Sequence, residues 1–148
     1  MTETFDFGSP PKGGWAKLAP ELLVSDLAVS RAFWIDVLGF GQAYQRPGFV
    51  YLERPEGGQI MLCDRSAKWE TAELVPPFGR GVIIQVFVGD IEPELQRLSA
   101  RAHPLYAQPR EVWRRTGDRE SGKREFVVQD PDGYLVLMAA DLGERSPS

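Results

Sequence analysis

A chain of 148 residues, 43% hydrophobic and 26% charged, is long enough for one folded domain and too apolar to be disordered. A formal net charge of -4 excludes wholesale nucleic-acid binding, which needs clustered Lys and Arg against phosphates. The lone Cys63 excludes an intrachain disulfide and fits a reducing, cytoplasmic compartment, and no apolar run is long enough to span a bilayer.

Residues 1–16 read as a flexible N-terminal arm without the apolar core of a secretory signal. Trp15 then needs a packing partner, in the domain or in a neighbouring subunit. A strand is expected over 17–24, and Pro20 suits a sheet edge because it lacks a donor. Asp26 offers an N-cap for an amphipathic helix over 27–38, in which Phe33 pairs with Val37 and Trp34 with Leu38. Gly39 supplies the stop. Short strands follow over 40–44, 49–53 and 59–63, the last two joined by Pro55-Glu56-Gly57-Gly58. Cys63, beside Ile60, Met61 and Leu62, reads as a structural thiol. Residues 65–80 form a polar, proline-rich linker.

An apolar strand is expected over 82–88, then a helix from Ile91 to Ala102 capped by Asp90, with Ile91, Leu95, Leu98 and Ala102 as its buried stripe. Residues 109–123 are charge-rich and read as loop-like around Trp113. Arg114, Arg115, Arg119, Lys123 and Arg124 alternate there with Glu111, Asp118, Glu120 and Glu125, the mixture expected of a solvated surface. Strands over 126–129 and 134–139 flank the turn Asp130-Pro131-Asp132-Gly133. Residues 142–148 are a tail expected to fray.

These elements repeat. Val24-Ser25-Asp26-Leu27 returns as Val88-Gly89-Asp90-Ile91, 64 positions later (90 minus 26). Phe49-Val50-Tyr51 returns as Phe126-Val127-Val128. Pro55-Glu56-Gly57 returns as Pro131-Asp132-Gly133, at an offset of 76 (131 minus 55). The fold class is therefore α+β: one domain over 17–141 built of two βαβββ modules, one over 17–64 and one over 81–141.

The run from Leu22 to Leu27, continued by Arg31 to Phe40, resembles the opening of the vicinal-oxygen-chelate proteins, and its Phe33-Trp34 pair is similar to the bleomycin resistance group. The segment from Gly122 to Tyr134 resembles the closing motif of the same group, and Pro77 to Gly81 with Gln85 and Trp113 is also similar to it. The resemblance covers about residues 18–141. It implies curved half-barrel sheets, a cleft in each, a homodimer and exchange of an N-terminal strand.

Enzymes of this superfamily hold a divalent metal through His, Glu or Gln, one per key strand. By the resemblance, those slots carry Ala19, Met61, Ile83 and Leu137 here, none of which can ligate a hard cation. Neither a metal nor another cofactor is expected. The single histidine, His103, is expected in a solvated loop. A slip of two residues would put Glu21 and Gln85 in two slots instead.

Alternation places Glu21 with Ala19 and Gln85 with Ile83, both facing the expected cleft. Each either meets a ligand or bonds to a neighbour such as Arg124. The resemblance puts Tyr44 and Phe49 where bleomycin resistance proteins stack the planar end of the drug. Trp113 either caps the cleft or meets a dimer partner. Gln85 and Gly122 stand where some relatives carry tryptophan. The candidate ligand-binding set is Glu21, Tyr44, Phe49, Gln85, Trp113 and Arg124, with no catalytic residue. The expected function leans to a non-catalytic binder that sequesters a bleomycin-like or other planar, cationic compound at a dimer interface. The alternative is a metal-independent lyase, isomerase or transferase with Glu21 as general base, and a third reading is a sensor module.

Overall fold

The sequence repeat becomes two sheets of the same topology. A computed structural model describes residues 4–66 and 68–148, so the first three residues of the expected arm lie outside the described ones. The chain divides into two units, one ending at Pro76 and the other beginning at Pro77. The first contains β1 (Glu21–Val24), α1 (Leu27–Ala32), β2 (Gly41–Arg46), β3 (Phe49–Glu53) and β4 (Gln59–Asp64). The second contains β5 (Ile83–Phe87), α2 (Glu92–Ala100), β6 (Leu105–Thr116), β7 (Arg119–Gln129) and β8 (Leu135–Arg145). Strand orders are β1-β4-β3-β2 and β5-β8-β7-β6. In each, the first pair is parallel and the others antiparallel.

The expected curved half-barrels are not what forms. Each sheet is open, with β1 and β2 at the edges of one and β5 and β6 at the edges of the other. Four strands are too few to curl onto themselves, since even small closed barrels need about eight.

Strand alternation buries the helix side of each sheet, and in the first sheet Phe49, Tyr51 and Gln59 on the other side are buried as well. In the first unit Leu22, Val24, Val50, Leu52, Ile60 and Leu62 are buried, as are Phe33, Trp34, Val37 and Leu38 after α1. Asp26 caps α1 by accepting the Val29 N–H at 3.2 Å. The single helix expected over 27–38 is α-helical only to Ala32. Phe33–Val37 is a wider π turn, closed by the Leu38 N–H on the Phe33 carbonyl at 3.1 Å. The wider turn accompanies burial of all four large side chains, which two adjacent i,i+4 rows supply. In the second unit Val86, Val88, Phe126, Val128, Val136 and Met138 are buried with Ile91 and Leu98. Leu95 is half-buried and Ala102 exposed, because α2 ends at Ala100.

The largest departure from the sequence reading is β6 to β8. The charged stretch around Trp113 is a strand, not a loop, and β8 runs to Arg145 rather than fraying after Asp141. The ladder pairs Arg110 with Glu125 and Glu111 with Arg124, and pairs Glu120 with both Arg115 and Arg145. Opposite charges facing across strands support the pairing that alternating charge in sequence concealed.

The two tight turns fall where expected. The Asp130 carboxylate accepts the Asp132 and Tyr134 N–H groups at 3.0 and 2.9 Å. Gly133 has φ +97°, and a Cβ there would lie 2.5 Å from Pro77 Cβ. Gly133→Ala is therefore expected to destabilise the fold by about 2 kcal/mol or more, measured as a fall in the urea midpoint without a change in slope.

Candidate functional site

With each helix covering one face, the opposite faces carry the chemistry. On the first sheet that face holds Glu21, Leu23, Tyr44, Arg46, Phe49, Tyr51, Gln59, Met61 and Cys63, as the registers dictate. Tyr44 and Tyr51 stack with centroids 5.0 Å apart and planes 14° from parallel. Phe49 adjoins Tyr44 at 5.9 Å. The Arg46 guanidinium lies 4.1 Å from the Phe49 centroid and 5.6 Å from that of Tyr44. Tyr44 and Phe49, both singled out in the sequence, thus meet in one cluster, to which the structure adds Tyr51 and Arg46.

The N-terminal arm, expected to be flexible, is tied to this sheet over much of its length. The Gln45 N–H donates to the Phe7 carbonyl at 2.8 Å and the Ser9 N–H to the Ala43 carbonyl at 3.0 Å, so the arm pairs with the edge of β2. Gln59 then anchors the next stretch. It accepts the Ala16 N–H at 2.9 Å and donates to the Gly14 carbonyl at 2.6 Å, while the Tyr51 hydroxyl donates to its carbonyl oxygen. This sets the Trp15 indole edge-on to Tyr44 at 5.9 Å and to Tyr51 at 5.4 Å. The partner Trp15 needs lies within its own unit.

Glu21 begins edge strand β1 and is exposed, beside Met61 in the ladder. Cys63 is half-buried on the same face. Burial first, then the carboxylates of Glu21 and Asp64, push its thiol pKa up, against an opposing effect of Arg46. Burial, Tyr44 and Glu53 raise the Tyr51 phenol in the same way.

On the second sheet the helix-free face carries Gln85, Phe87, Lys123 and Glu125. The Lys123 ammonium donates to Gln85 Oε1 at 3.1 Å and lies 5.3 Å from the Phe87 ring. Glu125, read from sequence as part of a solvated surface, is only 1% exposed. Arg114 reaches its Oε1 at 3.2 Å and Arg110 lies 3.6 Å from Oε2, which has no hydrogen bond. Cross-strand neighbours bury it, so nothing in its local sequence marks it out.

Two of the six candidates lie apart from these clusters. Arg124 points to the helix side and pairs with Glu92 of α2 at 2.5 Å. Trp113 lies flat across Gly122, where a Cβ would come within 2.6 Å of the indole, and Arg145 covers it at 4.1 Å. Trp113 thus fills the space of the side chain that Gly122 lacks. His103, expected in solvent, is half-buried with Nε2 2.9 Å from the Gln129 carbonyl oxygen.

The ladder places Glu21, not Ala19, beside Met61 and Gln85, not Ile83, beside Leu137, which is the arrangement of the two-residue slip, with one oxygen donor in each pair. Among the described residues no three of His, Cys, Asp and Glu are grouped so as to hold an ion.

A family model described as the Glyoxalase/Bleomycin resistance protein/Dioxygenase superfamily matches residues 17–138. No curated protein matches the chain. Among solved structures it is similar to a glyoxalase/bleomycin resistance protein/dioxygenase superfamily member from Vibrio splendidus 12B01, with 36% identity over 82% of this chain and 95% of that one, at a TM-score of 0.40. It is also similar to TioX from Micromonospora sp. ML1, with 19% identity over 86% of this chain and 100% of that one, at a TM-score of 0.63. A lactoylglutathione lyase from Agrobacterium tumefaciens shares 20% identity over 88% and 95% of the two chains, at a TM-score of 0.57. The last two likenesses are of fold.

A raised thiol pKa means less thiolate at a given pH, and the thiolate is the nucleophile. Cys63 is therefore expected to react with iodoacetamide at pH 8 more slowly than a free thiol. Glu21→Gln removes one of the charges that raise the pKa, so it should speed that reaction. An unchanged rate in the variant would show that the carboxylate does not act on the thiol.

Proposed function

The chain belongs to the glyoxalase/bleomycin resistance protein/dioxygenase superfamily, and on that premise we propose that it binds a small planar organic molecule without a metal. The observation that carries this reading is the aromatic cluster on a sheet face that no helix covers: Tyr51 and Phe49 are buried within it, and half-buried Tyr44 with exposed Trp15 and the adjoining Arg46 present its open ring surface. Aromatic faces favour a planar ligand through stacking and apolar burial. Arg46 already supplies a cation to these rings, so the face suits a planar group better than it suits the cationic one expected from sequence. Glu21 at the edge strand and Glu53 beyond Tyr51 favour a positive charge there. A bleomycin-like compound is one ligand with such a planar part, and its sequestration would be stoichiometric protection. The lone thiol fits a cytoplasmic setting.

A second reading, a metal-independent lyase, isomerase or transferase, is favoured by Glu125. Its carboxylate is 1% exposed between two guanidiniums with Oε2 lacking a hydrogen bond, so a shift of Arg110 that uncovered Oε2 would let it accept a hydrogen bond from a substrate. If it does so, Glu125→Gln should cut turnover of a carbonyl or thiol-adduct substrate by about a hundredfold or more. Equal activity in that variant would remove Glu125 from the chemistry.

The working form is a homodimer in this proposal. Leu18 is 87% exposed, Tyr106 65% and Ile83 62%, an amount of open apolar surface that self-association would cover. Light scattering after size exclusion is expected to give twice the chain mass, and a monomer at micromolar concentration would count against it.

The binding test is a thermal-shift titration of chelator-treated protein with metal-free bleomycin. A saturable rise in melting temperature is expected, and Tyr44→Ala should weaken binding about tenfold, equivalent to about 1.4 kcal/mol. A rise only after adding zinc, nickel or manganese would overturn the metal-independent reading, and no rise at all would remove bleomycin as the ligand.

A further inference from the structure

Where the arm lies along β2, a groove of about 400 Å³ opens over the aromatic face. That volume is in the range of small-molecule sites, roughly 300–1,000 Å³. Its floor is the bridge between Gly8 and Tyr44, side by side in antiparallel register. Gly8 has φ +85°, and a Cβ there would lie 2.4 Å from the Ala43 carbonyl oxygen, so only glycine fits. Strand order puts Tyr51 on one side of Tyr44 and Gly8 on the other. Tyr51 stacks on Tyr44 from its own side, and the missing side chain at Gly8 leaves the arm side of that ring open. Trp15 and Phe7, each 56% exposed, add ring surface to the same groove.

Arg46 lines the groove too, and its guanidinium is not used up by the fold. It is exposed, 4.1 Å from the Phe49 centroid and 5.6 Å from that of Tyr44. Ring contacts attract the cation without supplying an oxygen acceptor to its five N–H donors. Arg54, Arg110, Arg114 and Arg124 each reach a carboxylate, but among the described residues no ion pair or hydrogen bond engages Arg46.

The carboxylates of this unit near the face are bonded elsewhere or set apart. Asp6 accepts the Gly8 N–H at 3.0 Å, and Glu53 accepts the Lys12 N–H with both oxygens beyond Tyr51. Glu21 stands on β1, three strands from β2, which is roughly 14 Å between backbones against a screening length of about 8 Å in physiological salt. Asp64 follows Cys63 and so projects to the other face. Of the remaining polar groups, Gln45 Nε2 donates to the Asp6 carbonyl at 2.9 Å, and Ser9 carries a hydroxyl that can donate.

Resting on the planar-ligand reading, we infer that the ligand of this face is a planar aromatic carboxylate. Its ring lies on the open side of Tyr44 beside Trp15, and its carboxylate takes the Arg46 guanidinium. A carboxylate matches the guanidinium fork with two parallel hydrogen bonds, which an amide cannot do and an ammonium opposes by like charge.

The test is calorimetric titration of the full chain with 2-naphthoate, the neutral 2-naphthamide and the cationic 2-naphthylmethylamine. Saturable binding of the acid is expected, at least tenfold tighter than of the amide, with the amine weakest. Raising salt from about 0.05 M to about 0.5 M should weaken the acid severalfold and leave the amide unchanged. Arg46→Met keeps a long apolar side chain against Phe49, so it should melt like the wild type. It should bring the acid down to the affinity of the amide without weakening the amide, whereas Tyr44→Ala should weaken both. Equal affinity for acid and amide, or acid binding unchanged in Arg46→Met, would overturn the carboxylate assignment and leave the planar-ligand reading standing. Acid binding that is lost in Arg46→Met yet unchanged in Tyr44→Ala, or no saturation by any of the three in the millimolar range, would overturn both.

Discussion

Each four-stranded sheet has one helical segment to cover it, and the arrangement of functional groups follows from that constraint. A strand sends alternate side chains to opposite faces, so one set must be apolar to meet the helix and the other set is released from that demand. Val50 and Leu52 of β3 are buried on the helix side, and the intervening Tyr51 is free to join an aromatic cluster. Phe126 and Val128 of β7 do the same for the second helix, and Glu125 falls on the other side. The same alternation in both halves produces two helix-free faces with equivalent strand order and different chemistry.

The first face is aromatic and partly covered by its own arm. Gln59 makes this possible, because one amide satisfies two backbone groups of the arm and the Tyr51 hydroxyl together. The arm also pairs with the edge of β2, giving partners to backbone groups that an edge strand leaves open to another chain. The second face is charged, and its buried carboxylate is held by arginines from the neighbouring strand. A buried carboxylate with two guanidiniums nearby is stable only while they stay, so Arg110 and Arg114 fix the environment of Glu125.

Membership of a superfamily with many activities leaves the function to the site itself. Among the described residues no three of His, Cys, Asp and Glu are grouped as ion ligands. Met61 and Leu137 sit beside Glu21 and Gln85. What the faces do offer is stacking surface, a guanidinium and a desolvated carboxylate.

Local patterns along the chain carry the repeat, the Asp26 cap of α1, the turn glycines and the βαβββ order of each module, because these depend on residues within a few positions of each other; α2 differs, with Ile91 at its N-cap and the Asp90 carboxylate accepting the Glu92 N–H instead. Asp26, Gly39 and Asp130 act on backbone groups two to four residues away or stop the element they end. Tertiary structure alone decided the rest. The length of β6 was hidden because its charges are paired across the ladder, not along the chain. Trp113 packs on Gly122 nine positions on, and Glu125 is buried by Arg110 and Arg114 from the adjacent strand. The arm is held by Gln59, 43 and 45 residues beyond its partners Ala16 and Gly14. Each of these contacts joins residues that only the register of a folded sheet brings together, and no local pattern of residue types encodes that register.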